Sequence, residues 1–297
     1  MIDFLKKEEL PPELLKTEEG KELYNYIELI EDEGAEAYVT VLDGYATILI
    51  DDCGSGFFTY PVSISESGSE SALIGGIFEF CCENELAPRF IDVPLSGLPA
   101  LLSGTRHANV DGDGEFFSVD IKNECMLLDY PPELLWEDVY LSEPINKHGE
   151  AYKRLILDSE HNAYWGNDLR CEMRDCDGEF FISEANEEFH NGTALTLHAT
   201  VLSEGGENIF VGEGVLYRFD YKGGCEVAIR VLPEYCGRGY GGMILGGMLE
   251  VARSIGLTLA VCNIDKRNTA AIRCFTKALF ERKGDCGEDV AHFELIL

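Results

Sequence analysis

The chain contains no apolar run of 18 residues, so the sequence offers no transmembrane helix. Its opening, Met-Ile-Asp-Phe-Leu-Lys-Lys-Glu-Glu-Leu, has no apolar core of the kind a signal peptide needs. There is no Cys-x-x-Cys pair. The 11 cysteines are an odd number, several lie in apolar stretches (Cys81, Cys82, Cys262, Cys274), and Cys171 and Cys176 stand too isolated for a zinc site. Reduced, buried thiols in a cytoplasmic protein are the expectation, with no metal. Asp111-Gly112-Asp113-Gly114 lacks the length and terminal glutamate of a calcium loop and reads as a solvated turn. Basic residues are scarce: 23 Lys and Arg face 55 Asp and Glu, a net charge of -32. That balance argues against nucleic acid and anionic membrane as partners. It fits cationic substrates such as amines or basic peptides, and it also fits simple solubility.

What is present is a globular composition, 45% apolar and 10% aromatic, in a chain long enough for two domains. The organising stretch is Val231-Leu232-Pro233-Glu234-Tyr235-Cys236-Gly237-Arg238-Gly239-Tyr240-Gly241-Gly242. Residues 226–231 before it alternate as a strand does, and 243–255 after it carry apolar residues at helical spacing. The glycines therefore form a turn at a helix N-terminus, where amides, helix dipole and Arg238 together suit an anion, a diphosphate above all. A nucleoside-triphosphate loop would need Gly-Lys-Ser/Thr, and here Met243 follows Gly242. A dinucleotide fingerprint would need another glycine spacing and a later acid. A tight turn without ligand is the alternative. Between 226 and 283 nine basic residues meet five acids, so the one basic island surrounds this loop.

Val-x-Pro-x-Tyr followed by Gly-Arg-Gly-Tyr-Gly resembles motif A of the GNAT acyl-CoA N-acyltransferases. Asn268-Thr269-Ala270-Ala271-Ile272-Arg273-Cys274-Phe275-Thr276-Lys277-Ala278-Leu279-Phe280 resembles a second segment of that family, and Ala163-Tyr164-Trp165-Gly166-Asn167-Asp168 is similar to the acceptor-side region of its RimJ/RimL-like subgroup. The resemblance covers about 139–297. It implies an α/β chain of mixed sheets, with a GNAT fold over 137–297 whose central strands, 226–231 and 257–263, splay apart. For 1–136 the element pattern is a smaller mixed α/β companion domain, similar to a degenerate GNAT half, that shapes the acceptor pocket or forms a dimer surface. Within it, helix 13–33 turns Leu14, Leu15, Leu23, Tyr26 and Ile27 inward, and Asp43-Gly44 turns a hairpin. Strands are expected at 56–64, 90–93, 116–121 and 125–128, and 131–136 links the halves.

The resemblance further implies acetyl-CoA as cofactor. The backbone of Ile229 and Val231 would hold the pantetheine and thioester. The amides of Gly237, Arg238, Gly239, Tyr240, Gly241 and Gly242 would hold the diphosphate, and Asn263 and Asn268 would contact pantetheine, Asn268 being equally a helix N-cap. Glu226 is the candidate base, since an ammonium has no lone pair until it loses a proton; a solvated strand-start residue is its alternative role. The family's usual acid is a tyrosine where this chain has Phe275, which leaves water, Tyr235 or Tyr240 to protonate the leaving thiolate. Cys236 replaces a polar residue of the family pattern, and Leu279 replaces a glycine. His190 and His198 read as structural. The implied activity is transfer of an acetyl group to a primary amine of a small molecule or peptide within a ternary complex. The alternative is a GNAT-fold module that binds acyl-CoA without turnover.

Overall fold

The protein is seen in a computed structural model that describes residues 4–10, 12, 16–52, 55–64, 68–84, 86–112, 114–159, 163–164, 173 and 175–297. Leu14 and Leu15, expected on the first helix, lie outside the described residues, as do Trp165 to Asp168. The chain divides into two compact units, one of 1–123 with 220–222, the other of 124–219 with 223–297.

The first unit starts with helix α1 (Glu18–Asp32), capped by the Thr17 side chain, which accepts from the Gly20 amide. Strands β1 (Glu36–Leu42) and β2 (Tyr45–Asp52) pair antiparallel from Glu36–Asp51 to Leu42–Tyr45. Asp43 and Gly44 between them both take positive φ, 49° and 77°, which is what a two-residue hairpin turn demands. The strand expected over 56–64 is two pieces, β3 (Ser55–Thr59) and β4 (Val62–Ser63), because Pro61 cannot donate to a ladder. Helix α2 (Glu70–Glu83), β5 (Arg89–Pro94), α3 (Leu98–Leu102), β6 (His107–Gly112) and β7 (Phe116–Lys122) follow. Phe58, Phe90, Leu73, Ile77 and Leu101 fill the space between sheet and helices.

In the second unit Cys125–Leu127, expected as a strand, is one turn of 3-10 helix. Residues 134–136, expected in the link, form the outermost strand β8 (Leu134–Trp136). Then come β9 (Val139–Ser142), α4 (Gly149–Ile156) and α5 (Gly178–Asn191), which stops at Gly192 with φ 71°. Strands β10 (Ala194–Leu202), β11 (Asn208–Tyr217) and β12 (Gly224–Val231) lead to α6 (Tyr240–Ser254). Strand β13 (Leu259–Asp265), α7 (Thr269–Lys277), β14 (Glu281–Asp285) and β15 (Val290–Ile296) complete the unit.

Across its sheet the first unit runs β1-β2-β3-β5-β7-β6, and the second runs β10-β11-β12-β13-β15-β14 beyond β8 and β9. Every neighbouring pair has the same sense in the two series, parallel only at β3–β5 and β12–β13. In chain order α2 and α6 stand at one crossover, α3 and α7 at the next connection. The two units therefore share one strand topology. Among the described residues no helix is long and apolar enough to cross a membrane, and no group of His, Cys, Asp and Glu has the make-up of a metal site.

Candidate active site

Strands β12 and β13 run side by side for only three residues, from Gly224–Leu259 to Glu226–Val261. Beyond Glu226 they part. The other edge of β12 stays paired with β11 up to Gly212–Val231. Leu232 donates its amide to Val211 O at 2.9 Å on that side. Backbone groups alternate sides along a strand, so those of Val227, Ile229 and Val231 point the other way, into the fork. This is the edge at which Ile229 and Val231 were expected to act. One of its acceptors is engaged: the Cys236 thiol lies 3.6 Å from Val231 O.

The chain leaves β12 through Pro233–Tyr235, one turn of 3-10 helix, and enters α6 at Tyr240. Gly237 and Gly239 adopt φ 74° and 93°, a conformation that costs other residues about 1–2 kcal/mol. The amides of Gly237, Arg238, Gly239, Tyr240 and Gly241 have no hydrogen-bond partner among the described residues, whereas that of Gly242 is turned back onto Gly239 O at 3.0 Å. A Cβ at Gly237, Gly239 or Gly242 would meet open space, and one at Gly241 would touch Ile229, Val231 and Cys274 at 3.5–3.9 Å. Free amides at a helix start, with room in front of them, fit a diphosphate. Arg238 is exposed and stands over the Tyr235 ring at 5.4 Å.

Cys225, Val227 and Val231 belong to the core under α6, so the alternate residues Glu226, Ala228 and Arg230 face the opposite side of the sheet. Glu226 is buried there at the point where the strands part. Its Oε2 accepts from Arg218 Nη1 at 3.2 Å, and its Oε1 accepts from the Asn263 backbone and side-chain nitrogens, each at 3.3 Å. Tyr217, the cross-strand partner of Glu226, has its phenol held well above the usual range, first by burial and then by that carboxylate.

Residues 139–281 match the family model described as Acetyltransferase (GNAT) domain. The second unit carries a GNAT domain. No curated protein matches the chain. Solved structures similar in fold include spermidine N-acetyltransferase from Vibrio cholerae with CoA and spermine, 14% identical, covering 54% of this chain and 95% of that one at a TM-score of 0.47. A GNAT-family acetyltransferase from Bacillus anthracis is 19% identical over 56% of this chain and 98% of its own, at 0.47. Mycobacterium smegmatis RimJ with CoA-disulfide is 16% identical over 58% and 88%, at 0.46.

Within the GNAT domain the remaining expected residues fall as follows. Tyr240 opens α6 and packs edge-on to Tyr235 at 6.1 Å. Asn268 caps α7, its Oδ1 accepting from the Ala271 amide at 3.1 Å, so its side chain is spent on the helix. Asn263 belongs to Glu226. Phe275 is buried against Phe280 at 5.0 Å, inside the core. Tyr164 is half-exposed with Arg267 over its ring at 5.9 Å.

Arg218, Tyr217 and His292 join the site without having been expected from the sequence. Tyr217 and Arg218, nine and eight residues before Glu226, stand at the end of the strand that precedes it, a hairpin spacing that could have pointed to both. A polar row also crosses this sheet: Ser142, His198, Glu213 and Arg230 are successive cross-strand partners on β9 to β12, with His198 and Glu213 buried. Arg230 is ion-paired with Glu213, which is fully buried.

Proposed function

We propose that the GNAT domain binds acetyl-CoA and transfers its acetyl group to a primary amine of a small molecule or peptide by direct attack in a ternary complex. The observation that carries this is the continuity of the open β12 edge with the loop of unpaired amides. One part offers backbone groups to an extended amide-containing chain, and the next offers amide hydrogens to a dianion. When bound, acetyl-CoA supplies a thioester whose C–S bond breaks as the amine nitrogen bonds to the carbonyl carbon, giving an amide and the free thiol.

The residues of this chain orient and deprotonate. Ile229 and Val231 align the pantetheine along the fork, and residues 237–241 anchor the diphosphate. Glu226, on the face opposite α6, takes a proton from the incoming ammonium directly or through water. With Phe275 enclosed in the core, water, Tyr235 or Tyr240 protonates the departing thiolate. A cytoplasmic setting goes with this reading, since it keeps thiols reduced.

Calorimetry at low salt with coenzyme A and acetyl-CoA tests the first half, and thiol release across an amine panel, with spermidine and short peptides among the acceptors, tests the second. Uptake with turnover on at least one amine is expected. Absence of uptake overturns the reading. The buried Phe275 favours one second reading, an acyl-CoA-binding module without turnover, and tight uptake with no thiol release from any amine selects it.

A further inference from the structure

We infer that His292 is a positioning residue for Glu226, acting through the side-chain amide of Asn263. This rests on Glu226 being the base of the proposed reaction. The register of three strands makes the chain of contacts: Glu226 lies beside Val261 at the fork, Asn263 follows two residues on, and His292 is the cross-strand partner of Asn263 on β15. A carboxylate can only accept, so the amide presents its NH2 end to Glu226 Oε1 at 3.3 Å. Asn263 Oδ1 is thereby turned to His292, 2.9 Å from Nδ1. An amide oxygen also only accepts, so Nδ1 carries a hydrogen. His292 Nε2 lies 3.1 Å from Glu294 Oε1, a second carboxylate, so it carries one too.

All three contacts are satisfied together when both ring nitrogens of His292 carry a hydrogen. A ring that has lost its Nδ1 hydrogen leaves Asn263 Oδ1 facing a lone pair. The amide is then free to turn, and its oxygen would confront Glu226. The orientation of the base is in this way tied to a ring one strand further out. Other charges face the same groups: Arg218 and Tyr217 reach Glu226 from β11, and Glu281, opposite Glu294 on β14, pairs with Lys283 at 2.7 Å.

Long-range nitrogen-15 spectra of the full chain read the ring directly, His292 being identified by its loss in His292→Leu. Nδ1 is expected to carry a hydrogen held by the Asn263 amide oxygen. In kinetics, His292→Leu should lower kcat roughly tenfold with KM for acetyl-CoA unchanged. His292→Arg, which keeps donors toward both Asn263 and Glu294, should restore kcat. An Nδ1 without a hydrogen, or a kcat unchanged in His292→Leu, overturns the proposal. The spectra need no acyl-CoA, so they judge it separately from the proposed reaction.

A second inference stands on the first unit alone: the geometry points to a copy of the acetyltransferase topology whose cofactor position is closed, so that one chain takes one acyl-CoA. Thr59-Tyr60-Pro61 ends β3 as Val231-Leu232-Pro233 ends β12. There the strands do not part. Phe58 and Thr59 pair with Phe90 and Ile91, and Tyr60 still donates to Ile91 O at 3.1 Å. The Tyr60 ring is buried against Gly97, where a Cβ would come within 2.3 Å of it, and its hydroxyl lies 3.4 Å from Gly97 O. Glu70, at the start of α2, also binds that phenol. The connecting sequence, Ser65-Glu66-Ser67-Gly68-Ser69-Glu70, has acids and one glycine where the second unit has Arg238 among four. Calorimetric titration with coenzyme A is expected to give one site per chain, abolished by Gly239→Val. Two sites, or one surviving in Gly239→Val, overturns the inference. No uptake by either form agrees with a closed first unit and sinks the reading of the second.

Discussion

His148 and His198 meet Nδ1 to Nδ1 at 3.2 Å, both buried, with the Tyr152 and Phe210 rings against His198. One nitrogen donates and the other accepts, so a second ring proton breaks the contact. Burial and then His148 hold His198 down to about 3, and burial and Lys147 lower His148 as well. The unfolded chain protonates both near the ordinary value of about 6.5, while the folded chain resists. Stability present above that pH is therefore lost as pH falls toward about 3, by roughly 1.4 kcal/mol per pH unit for each ring left neutral. Urea unfolding of wild type and His198→Leu at pH 7, 6 and 5 should show their stability gap narrowing with acid. Parallel pH profiles would count against it.

Gly239 and Gly242 separate backbone strain from loss of space. Gly239→Ala places a side chain at φ 93° and should weaken coenzyme A binding about tenfold, the equivalent of the roughly 1–2 kcal/mol the conformation costs. Gly242→Ala sits in the first turn of α6 with room around its Cβ and should raise stability by about 0.5–1 kcal/mol. Calorimetry and urea unfolding on the two variants check both signs.

Arg230→Met leaves the Glu213 carboxylate buried without its partner and should cost about 3–5 kcal/mol. Among the described residues one oxygen of Glu213, Oε2, has no hydrogen-bond partner. Adding Glu213→Gln to Arg230→Met should recover a large part of the loss. A double-mutant cycle by urea unfolding measures it, and additive single losses would contradict the pairing.

Phe275→Tyr restores the residue type that the family resemblance places here, yet it should not speed the reaction. The ring lies in the core against Phe280, so an added hydroxyl is buried and should cost about 1–3 kcal/mol. A lower melting temperature with kcat unchanged or reduced is the expected result, and a clear rise in kcat would overturn it.

Much of this was written locally. Asp43-Gly44, Gly237, Gly239 and Asn268 each impose a backbone angle or a cap within a few residues, so the hairpin, a helix start and the anion loop could be read directly. Apolar spacing likewise announced α6 and the strands around it. Where local preference was weak, contacts decided: Cys125–Leu127 became a turn, and Leu134–Trp136 joined a sheet edge.

Sequence by itself determined the glycine loop between a strand and a helix, and with it the family of the second unit. Tertiary structure alone decided that β12 and β13 part after Glu226, that β3 and β5 do not part before Tyr60, and that Arg218, Asn263 and His292 converge on one carboxylate chain. The reason is range. A φ angle or a helical period is set by neighbours a few residues apart, while strand register joins residues tens of positions apart through pairings that no local stretch encodes.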